Sequence, residues 1–386
     1  MVSFFVTAAI LLIIVLCIEI ILHVPAISDA IGFNNVLSTY RMDPVLYYRH
    51  VANSRGLSVD RLGYDGYRAV LGYNSRAIRE DKEIELPKPS GCYRVLLLGD
   101  SVVEAAHVPL QLTLGKRLEN KLSMDCKQFQ FEVLNSGVSG WSTSQEYIYY
   151  KNEGASLNPD MVIICFCLND VTEDYRNLKR MKTDENDLPI AVAPDYGFIR
   201  RATGLGRQIK LYALFADFLM RPLDRRRALM PGGVWRLNQI AKGDQITRST
   251  YALFNEKYSS SDEMCWDRTK RYILAIKEIA DRNAQQTVLV CIPLSHQVSP
   301  LQNQLGKQCW GPKWKDYVEE STKPQGILRE LAKENNMHFV DLLPAFKDAG
   351  RTQKLFYDYD GHFNEQGHEL AARTIADYIL TNILKQ

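Results

Sequence analysis

Five apolar runs, separated by stretches with helical spacing, constrain the fold of this chain more than any other feature. The runs lie at 95–98, 131–134, 161–167, 287–292 and 338–343, and the helical stretches lie at 110–122, 144–157, 267–283 and 326–335. A last helical pattern covers 365–384, with Asn364 as its predicted N-cap. Apolar strands that alternate with helices are typical of βαβ units. The pattern therefore predicts an α/β fold around a parallel five-stranded sheet.

One interval breaks this alternation. Residues 171–263 separate the third and fourth runs by far more than an ordinary crossover needs, so we expect an insertion there. Within it, 200–227 holds eight Arg and Lys residues against two Asp. This segment is predicted either as a lid that contacts membrane head groups or an acidic polymer, or as a helical cap with solvated arginines. The formal net charge of the whole chain is only +2, which gives no reason to expect nucleic acid as a partner.

Residues 1–24 are predicted to form a single-pass transmembrane anchor. The apolar run at 4–22 is interrupted only by Thr7 and Glu19, and its length is close to the roughly 20 residues that span a bilayer. No Lys or Arg precedes the run, which favours a retained anchor over a cleaved signal peptide. A small-x-small site at 28–30 keeps cleavage open as the alternative. The orientation of the anchor is not determined by flanking charges.

The eight cysteines bear on the compartment of the protein. Three lie inside apolar runs and are predicted to be small buried side chains: Cys165, Cys167 and Cys291. Cys92 and Cys126 each precede a strand, and a disulfide between them is sterically plausible if those strands are neighbours. Cys265 and Cys309 are a second candidate pair, and either disulfide would indicate an oxidising, extracytoplasmic setting. The alternative is four reduced thiols. No spacing of Cys or His indicates a zinc site.

Four short motifs lie near the ends of the predicted strands. They are Gly99-Asp100-Ser101, Asn135-Ser136-Gly137-Val138-Ser139-Gly140, Asn169-Asp170 and, just before the terminal helix, Asp360-Gly361-His362. In an open parallel sheet the carboxyl ends of neighbouring strands line one crevice. We therefore expect the four motifs to meet at that edge of the sheet.

These motifs contain the groups that ester chemistry requires. Acyl transfer needs a nucleophile, a base within hydrogen-bond reach, an acid that orients the base, and donors for the oxyanion. Ser101, His362 and Asp360 supply the first three. The backbone N–H groups of Ser101 and Gly140 and the side-chain amide of Asn169 supply the donors, and a glycine at 140 allows close approach of the substrate.

With these four blocks in order, the chain resembles the SGNH hydrolase superfamily, also called GDSL-like lipases and esterases. The resemblance implies a flavodoxin-like three-layer α/β/α fold, an acyl ester substrate, and neither a metal nor a cofactor. Two positions depart from the family pattern: Leu168 replaces the usual glycine, and Tyr359 stands where the triad acid is usual. Asp360, two residues before His362, is therefore the predicted acid, and Asp358 is the alternative.

The predicted organisation is an anchor at 1–24, an irregular lead-in at 25–90 and an SGNH hydrolase domain at 91–386 that contains the insertion. The predicted function is a serine esterase that hydrolyses short-chain acyl esters, O-acetyl esters among them, through an acyl-enzyme. Two alternatives stay open: an O-acetyltransferase that modifies a cell-surface polysaccharide, and a non-catalytic glycan- or lipid-binding module. The expected partners are an acyl ester, as a glycan or lipid, and the membrane. The catalytic domain is expected outside the cytoplasm.

Overall fold

The computed structural model describes residues 2–22, 24, 39–60, 65–193, 253–301 and 321–385. The strands are β1 (Tyr40–Asp43), β2 (Tyr47–His50), β3 (Arg55–Val59), β4 (Arg68–Gly72), β5 (Cys92–Gly99), β6 (Gln130–Asn135), β7 (Met161–Cys167), β8 (Met181–Thr183), β9 (Pro189–Val192), β10 (Gln286–Ile292) and β11 (His338–Asp341). The helices are α1 (Val2–Leu22), α2 (Ser101–Glu104), α3 (Leu114–Asp125), α4 (Thr143–Asn152), α5 (Asn169–Asn177), α6 (Ser260–Arg282), α7 (Ser295–Val298), α8 (Lys323–Glu334), α9 (Leu343–Ala349) and α10 (Glu365–Asn382).

Five of these strands form one parallel sheet, in the order β11-β10-β7-β5-β6. Counted along the chain this is the order 2-1-3-4-5 of flavodoxin-like folds, and the order reverses between β5 and β7. All five predicted strands are present, although β11 ends at Asp341 rather than at residue 343. The carboxyl ends of β5, β6 and β7 consequently lie side by side at the point where a crevice forms.

Helices cover both faces of the sheet, as the three-layer prediction requires. Along β5, Val95 and Leu97 pack in one apolar cluster with α3, α9 and α10, while Leu96 and Leu98 pack in a second cluster with α4, α6 and α8. Successive side chains of a strand point to opposite faces, so both faces of β5 are buried. This explains why its sequence is a continuous apolar run rather than an alternating one.

The helix bounds differ from prediction where caps override the apolar spacing. The pattern at 110–122 begins as a 3₁₀ turn at Leu110–Leu112, and α3 starts only after Thr113, whose side chain accepts the N–H of Lys116. Helix α6 starts seven residues before the predicted 267, because Ser259 and Asp262 form a capping box there.

The lead-in is more ordered than the sequence predicts. Strands β1 and β2 pair antiparallel, and so do β3 and β4, so the expectation of an irregular segment is wrong for these residues. The four strands are only four or five residues long. Burial alternates in β4 but not in β1, β2 or β3, so these three carry no period-2 pattern to recognise.

Part of the predicted insertion is described. It begins within α5 and continues through the antiparallel pair β8 and β9. The basic segment at 200–227 lies outside the described residues. The domain bounds at 24, 90 and 386 stay predictions.

Helix α1 occupies the segment predicted as a membrane anchor. A bilayer span requires about 20 residues that are apolar throughout. Within the ranges given above, no helix combines the length and the apolar character needed to cross a membrane. The predicted transmembrane helix is therefore not supported.

The cysteines also correct a prediction. Cys92 opens β5 opposite Gln130, whereas Cys126 caps the end of α3 and is buried, so the two sulfurs do not start at the same level of the sheet. They form no disulfide, and the Cys92 thiol lies 3.9 Å from the Glu132 carboxylate instead. The location of the domain outside the cytoplasm stays a prediction. The three cysteines predicted to be buried are buried. Cys265 is also buried, and Cys309 lies outside the described residues.

Candidate active site

Ser101 lies at the carboxyl edge of the sheet, on the first residue of α2. Strand β5 ends at Gly99, and the Asp100 side chain caps the helix by accepting the N–H of Val102 at 2.9 Å. This cap explains why Asp precedes Ser: the carboxylate fixes the turn from strand to helix. The turn directs Ser101 Oγ towards the loop that precedes α10.

His362 and Asp360 reach Ser101 from that loop. His362 Nε2 is 2.8 Å from Ser101 Oγ, and its Nδ1 hydrogen-bonds Asp360 Oδ1. Asp358, the alternative acid, is bonded to Lys354 Nζ at 2.7 Å. The geometry thus places Asp360, at two residues before the histidine, in the position of a triad acid.

Asp360 and His362 each stabilise the charged form of the other. Burial disfavours the charged imidazolium, but the Asp360 carboxylate more than offsets burial and raises the pKa of His362 above its ordinary value. Burial likewise opposes the charged form of Asp360, and contacts with His362 and His107 nevertheless hold its pKa well below the usual range. Asp360 is therefore ionised, and an ionised carboxylate in contact with His362 favours the protonated form of that imidazole.

Asn169 follows β7 and begins α5, next to Ser101 in the sheet. Its side-chain amide donates to Asp100 Oδ2 at 3.0 Å, so the same carboxylate that caps α2 also orients Asn169. An amide carries two N–H groups, so one remains for an oxyanion. Asp170 is buried and accepts the N–H of Cys167 at 3.1 Å, which braces the end of β7 rather than His362.

Gly140 sits in the loop after β6 with a left-handed backbone, at φ +77°. A Cβ built on it would lie 2.5 Å from the Tyr48 hydroxyl, which itself donates to the Ser139 carbonyl at 2.8 Å. Two requirements therefore coincide at this residue: a positive φ and no side chain. Both serve the backbone N–H that is a candidate oxyanion donor.

We expect Gly140→Ala to lower both stability and turnover. The positive φ costs an L-residue about 1 to 2 kcal/mol, and the methyl group displaces Tyr48 in addition. Gly91 is a matched control, because its φ is +75° and the space around it is open. Chemical unfolding and steady-state kinetics should show a similar backbone cost in Gly91→Ala with normal turnover. Equal losses in both variants would contradict the role of the contact with Tyr48.

Glu104, which the sequence analysis missed, ties this loop to α2. Its buried carboxylate accepts the hydroxyls of Tyr40 and Tyr73 and the N–H of Ser139, each at 2.7 to 2.8 Å. Burial alone would raise the pKa of Glu104, but the nearby His50 and these donors hold it below its usual value. Because Glu104 lies three residues after Ser101, an ionised carboxylate fixes the Gly140 loop relative to the nucleophile.

Asp65, also missed, fixes the loop of Asp360. Its carboxylate accepts the backbone N–H groups of Asp358 at 2.7 Å, Tyr359 at 3.1 Å and Asp360 at 2.9 Å. No local sequence pattern could predict this contact, because Asp65 is 295 residues from Asp360 along the chain.

One tryptophan and two further histidines lie in the same segments of the chain as the site residues. Trp141 is buried and donates to the Tyr48 carbonyl, which is a packing role. His368 is buried inside α10, where burial lowers its pKa well below the ordinary value. His107 is buried beside Asp360.

A metal ion could reach one group of side chains in the described part of the chain. His107, Asp360 and His362 each offer a ligand atom, all within 4.8 Å of one another. The same atoms are used by the hydrogen bonds of Asp360. The expectation that the site needs neither metal nor cofactor stays a prediction.

Serine, histidine and aspartate in contact at the carboxyl edge of a parallel α/β sheet are the groups that acyl transfer through a serine nucleophile requires. The model of the GDSL-like lipase/acylhydrolase family matches residues 97–370, so the chain belongs to that family and is a serine carboxylic ester hydrolase. No curated protein matches the chain.

Solved structures that match are distant. An acetyl xylan esterase, AlAXEase, is 14% identical with a TM-score of 0.41, covering 74% of this chain and 99% of its own. A putative acylhydrolase from Bacteroides fragilis is 14% identical with a TM-score of 0.38, covering 78% and 91%. A catalytic mutant of Axe2, an acetylxylan esterase from Geobacillus stearothermophilus, is 13% identical with a TM-score of 0.38, covering 74% and 94%. None of these likenesses carries a substrate to this chain.

Proposed function

We propose that this enzyme hydrolyses short-chain acyl esters, O-acetyl esters among them, with Ser101 as nucleophile, His362 as base and Asp360 as acid. The observation that carries the proposal is the continuous chain of contacts from Ser101 Oγ through His362 to Asp360. The donors proposed for the carbonyl oxygen of the substrate are the backbone N–H groups of Ser101 and Gly140 and the side-chain amide of Asn169.

Each step uses atoms of this site. Ser101 Oγ attacks the ester carbonyl while its proton passes to His362 Nε2, and Asp360 stabilises the resulting imidazolium. The oxyanion donors stabilise the negative oxygen of the tetrahedral intermediate. The intermediate collapses to an acyl-serine, and the Nε2 proton leaves with the alcohol. Water then attacks the acyl-serine, again with His362 as base, and releases the carboxylic acid.

The support for the acyl length and the alcohol is the resemblance to the family, not the shape of a pocket. We propose a short acyl group on a glycan or lipid alcohol, with water as the acceptor. Transfer to a polysaccharide hydroxyl uses the same acyl-enzyme and differs only in the second acceptor. The location of the enzyme at a membrane, outside the cytoplasm, stays a prediction.

Labelling with a fluorophosphonate tests the nucleophile without a choice of substrate. We expect one adduct per chain, on Ser101, and none in Ser101→Ala. A folded wild-type protein that is not labelled would overturn the proposal.

A panel of acyl esters and acetylated polysaccharides, run with and without a glycan acceptor, tests the reaction. Release of free acid that is independent of the acceptor supports hydrolysis. Acylated acceptor as the main product would favour the transferase, and binding without turnover would favour a non-catalytic module.

A further inference from the structure

A second histidine shares the proposed triad acid. His107 Nε2 lies 3.2 Å from Asp360 Oδ1, the same oxygen that His362 Nδ1 contacts. The rings of His107 and His362 stack, with centroids 4.4 Å apart and planes 22° apart. The ring of Tyr67, from the lead-in, packs nearly perpendicular to that of His107 with the centroids 4.7 Å apart. The His107 side chain is only 10% exposed.

These contacts fix the tautomer and the charge of His107. Nε2 faces a carboxylate, which only accepts, so Nε2 carries the proton. Nδ1 is buried and has no hydrogen-bond partner among the described residues, so a second proton there would lose hydration without compensation. Burial lowers the pKa of His107, and the neighbouring His362 lowers it further. His107 is therefore a neutral donor held against an ionised acid.

We propose that His107 is a positioning residue that shares Asp360 with His362 and thereby sets the basicity of His362. The inference rests on the proposed function, because it takes His362 as the base. His107 is not itself the base, since its Nε2 is directed at Asp360 and Ser101 Oγ is already bonded by His362. Its N–H draws part of the negative charge of Oδ1 away from His362 Nδ1 and keeps that oxygen in line.

The sign of the effect follows from the charges around the pair. Asp360, Asp100 and Glu104 are the carboxylates that act on His362. Tyr67 and Tyr357 are the ring groups packed against His107. Without the His107 donor, the full charge of Asp360 acts on His362 and raises its pKa. Activity requires neutral His362, so the acid limb of the pH profile moves to higher pH. The loss of alignment lowers the maximum rate as well.

The test compares two substitutions and a remote control. His107→Phe keeps a ring on His362 but removes the donor, and His107→Gln keeps an N–H that can reach Asp360. His338→Gln removes a partly buried histidine that opens β11, at the opposite end of the sheet, where it contacts Tyr378. The rate of Ser101 labelling by the fluorophosphonate is measured from pH 5 to 9, and the melting temperature verifies that each variant is folded.

We expect His107→Phe to label about tenfold or more slowly at its optimum, with the acid limb shifted upward by about half a pH unit or more. His107→Gln should recover most of the shift, and His338→Gln should match wild type. A folded His107→Phe with the wild-type acid limb would overturn the proposal, and so would a His107→Gln displaced as far as His107→Phe. Absence of labelling in the wild type would instead contradict the proposed function.

Discussion

Asp360→Asn is expected to lower kcat by about 10³ to 10⁴ while the protein stays folded. An amide in place of the carboxylate cannot stabilise the imidazolium, and it allows the wrong tautomer of His362, which in the Ser-His-Asp triad costs about 10⁴. The pKa of His362 should fall, because Asp360 is the group that raises it. The acid limb of the kcat/KM profile therefore moves to lower pH, opposite in direction to the effect of His107→Phe. Steady-state kinetics from pH 5 to 9 measure both quantities.

Asp358→Asn provides the matched control, because the same substitution is made two residues away. Asp358 contacts Lys354 and not His362, so its loss should change kcat by less than about threefold and leave the pH profile in place. If Asp358→Asn were the damaging variant and Asp360→Asn active, the assignment of the acid would be wrong.

Asn169→Ala is expected to cost about 10² to 10³ in kcat, the range found when one oxyanion donor is removed. The stability of the protein should change little, because Asp100 keeps the Val102 N–H and the Cys167 thiol as donors. Kinetics with an activated short-chain ester, together with the melting temperature, separate the two effects.

Asn177 controls for the loss of a buried amide, since it ends the same helix α5. Its side chain donates to Ser142 Oγ at 3.2 Å and Gln145 Oε1 at 3.1 Å, away from Ser101. Asn177→Ala should destabilise the protein by about 1 to 3 kcal/mol and keep its turnover. A stable Asn169→Ala with normal turnover would exclude Asn169 as an oxyanion donor.

The central sheet was predictable because burial on both faces requires an apolar residue at nearly every position of a strand. Met161–Cys167 is apolar at each position and buried at each position. The lead-in strands show no such pattern: Tyr40–Asp43 is exposed or half-buried throughout, and its pairing with β2 depends on contacts made elsewhere. Sequence patterns record burial, so elements that are ordered by a few polar contacts escape them.

The same distinction applies to the site. Ser101 and Asn169 could be located because strand ends converge wherever a parallel sheet forms. His362 lies beyond β11 and α9, and it was located because its motif directly precedes the predicted terminal helix. Asp65 and Glu104 act through hydrogen bonds to backbone N–H groups of Asp360 and Ser139, and such acceptors leave no spacing that a single sequence can show. The contact of His107 with Asp360 likewise has no local pattern, because it depends on a loop more than 250 positions later in the chain.

Residues in β1 to β4 and in their connections contact the loops of the candidate site, so the segment before the central sheet is part of the catalytic unit. The family match begins at residue 97, yet Asp65 accepts hydrogen bonds from the loop of Asp360 and Tyr48 donates one to the loop of Gly140. Tyr40 donates to Glu104, whose carboxylate accepts the Ser139 N–H of that same loop. A fragment cut at the predicted boundary between residues 90 and 91 would retain every proposed catalytic side chain. It would lose the carboxylate of Asp65 and the hydroxyls of Tyr40 and Tyr48, which fix the loops of Asp360 and Gly140. Such a fragment is unsuitable for inhibitor screening or for grafting the site onto another scaffold, because residues that precede the sheet determine part of the geometry of the site.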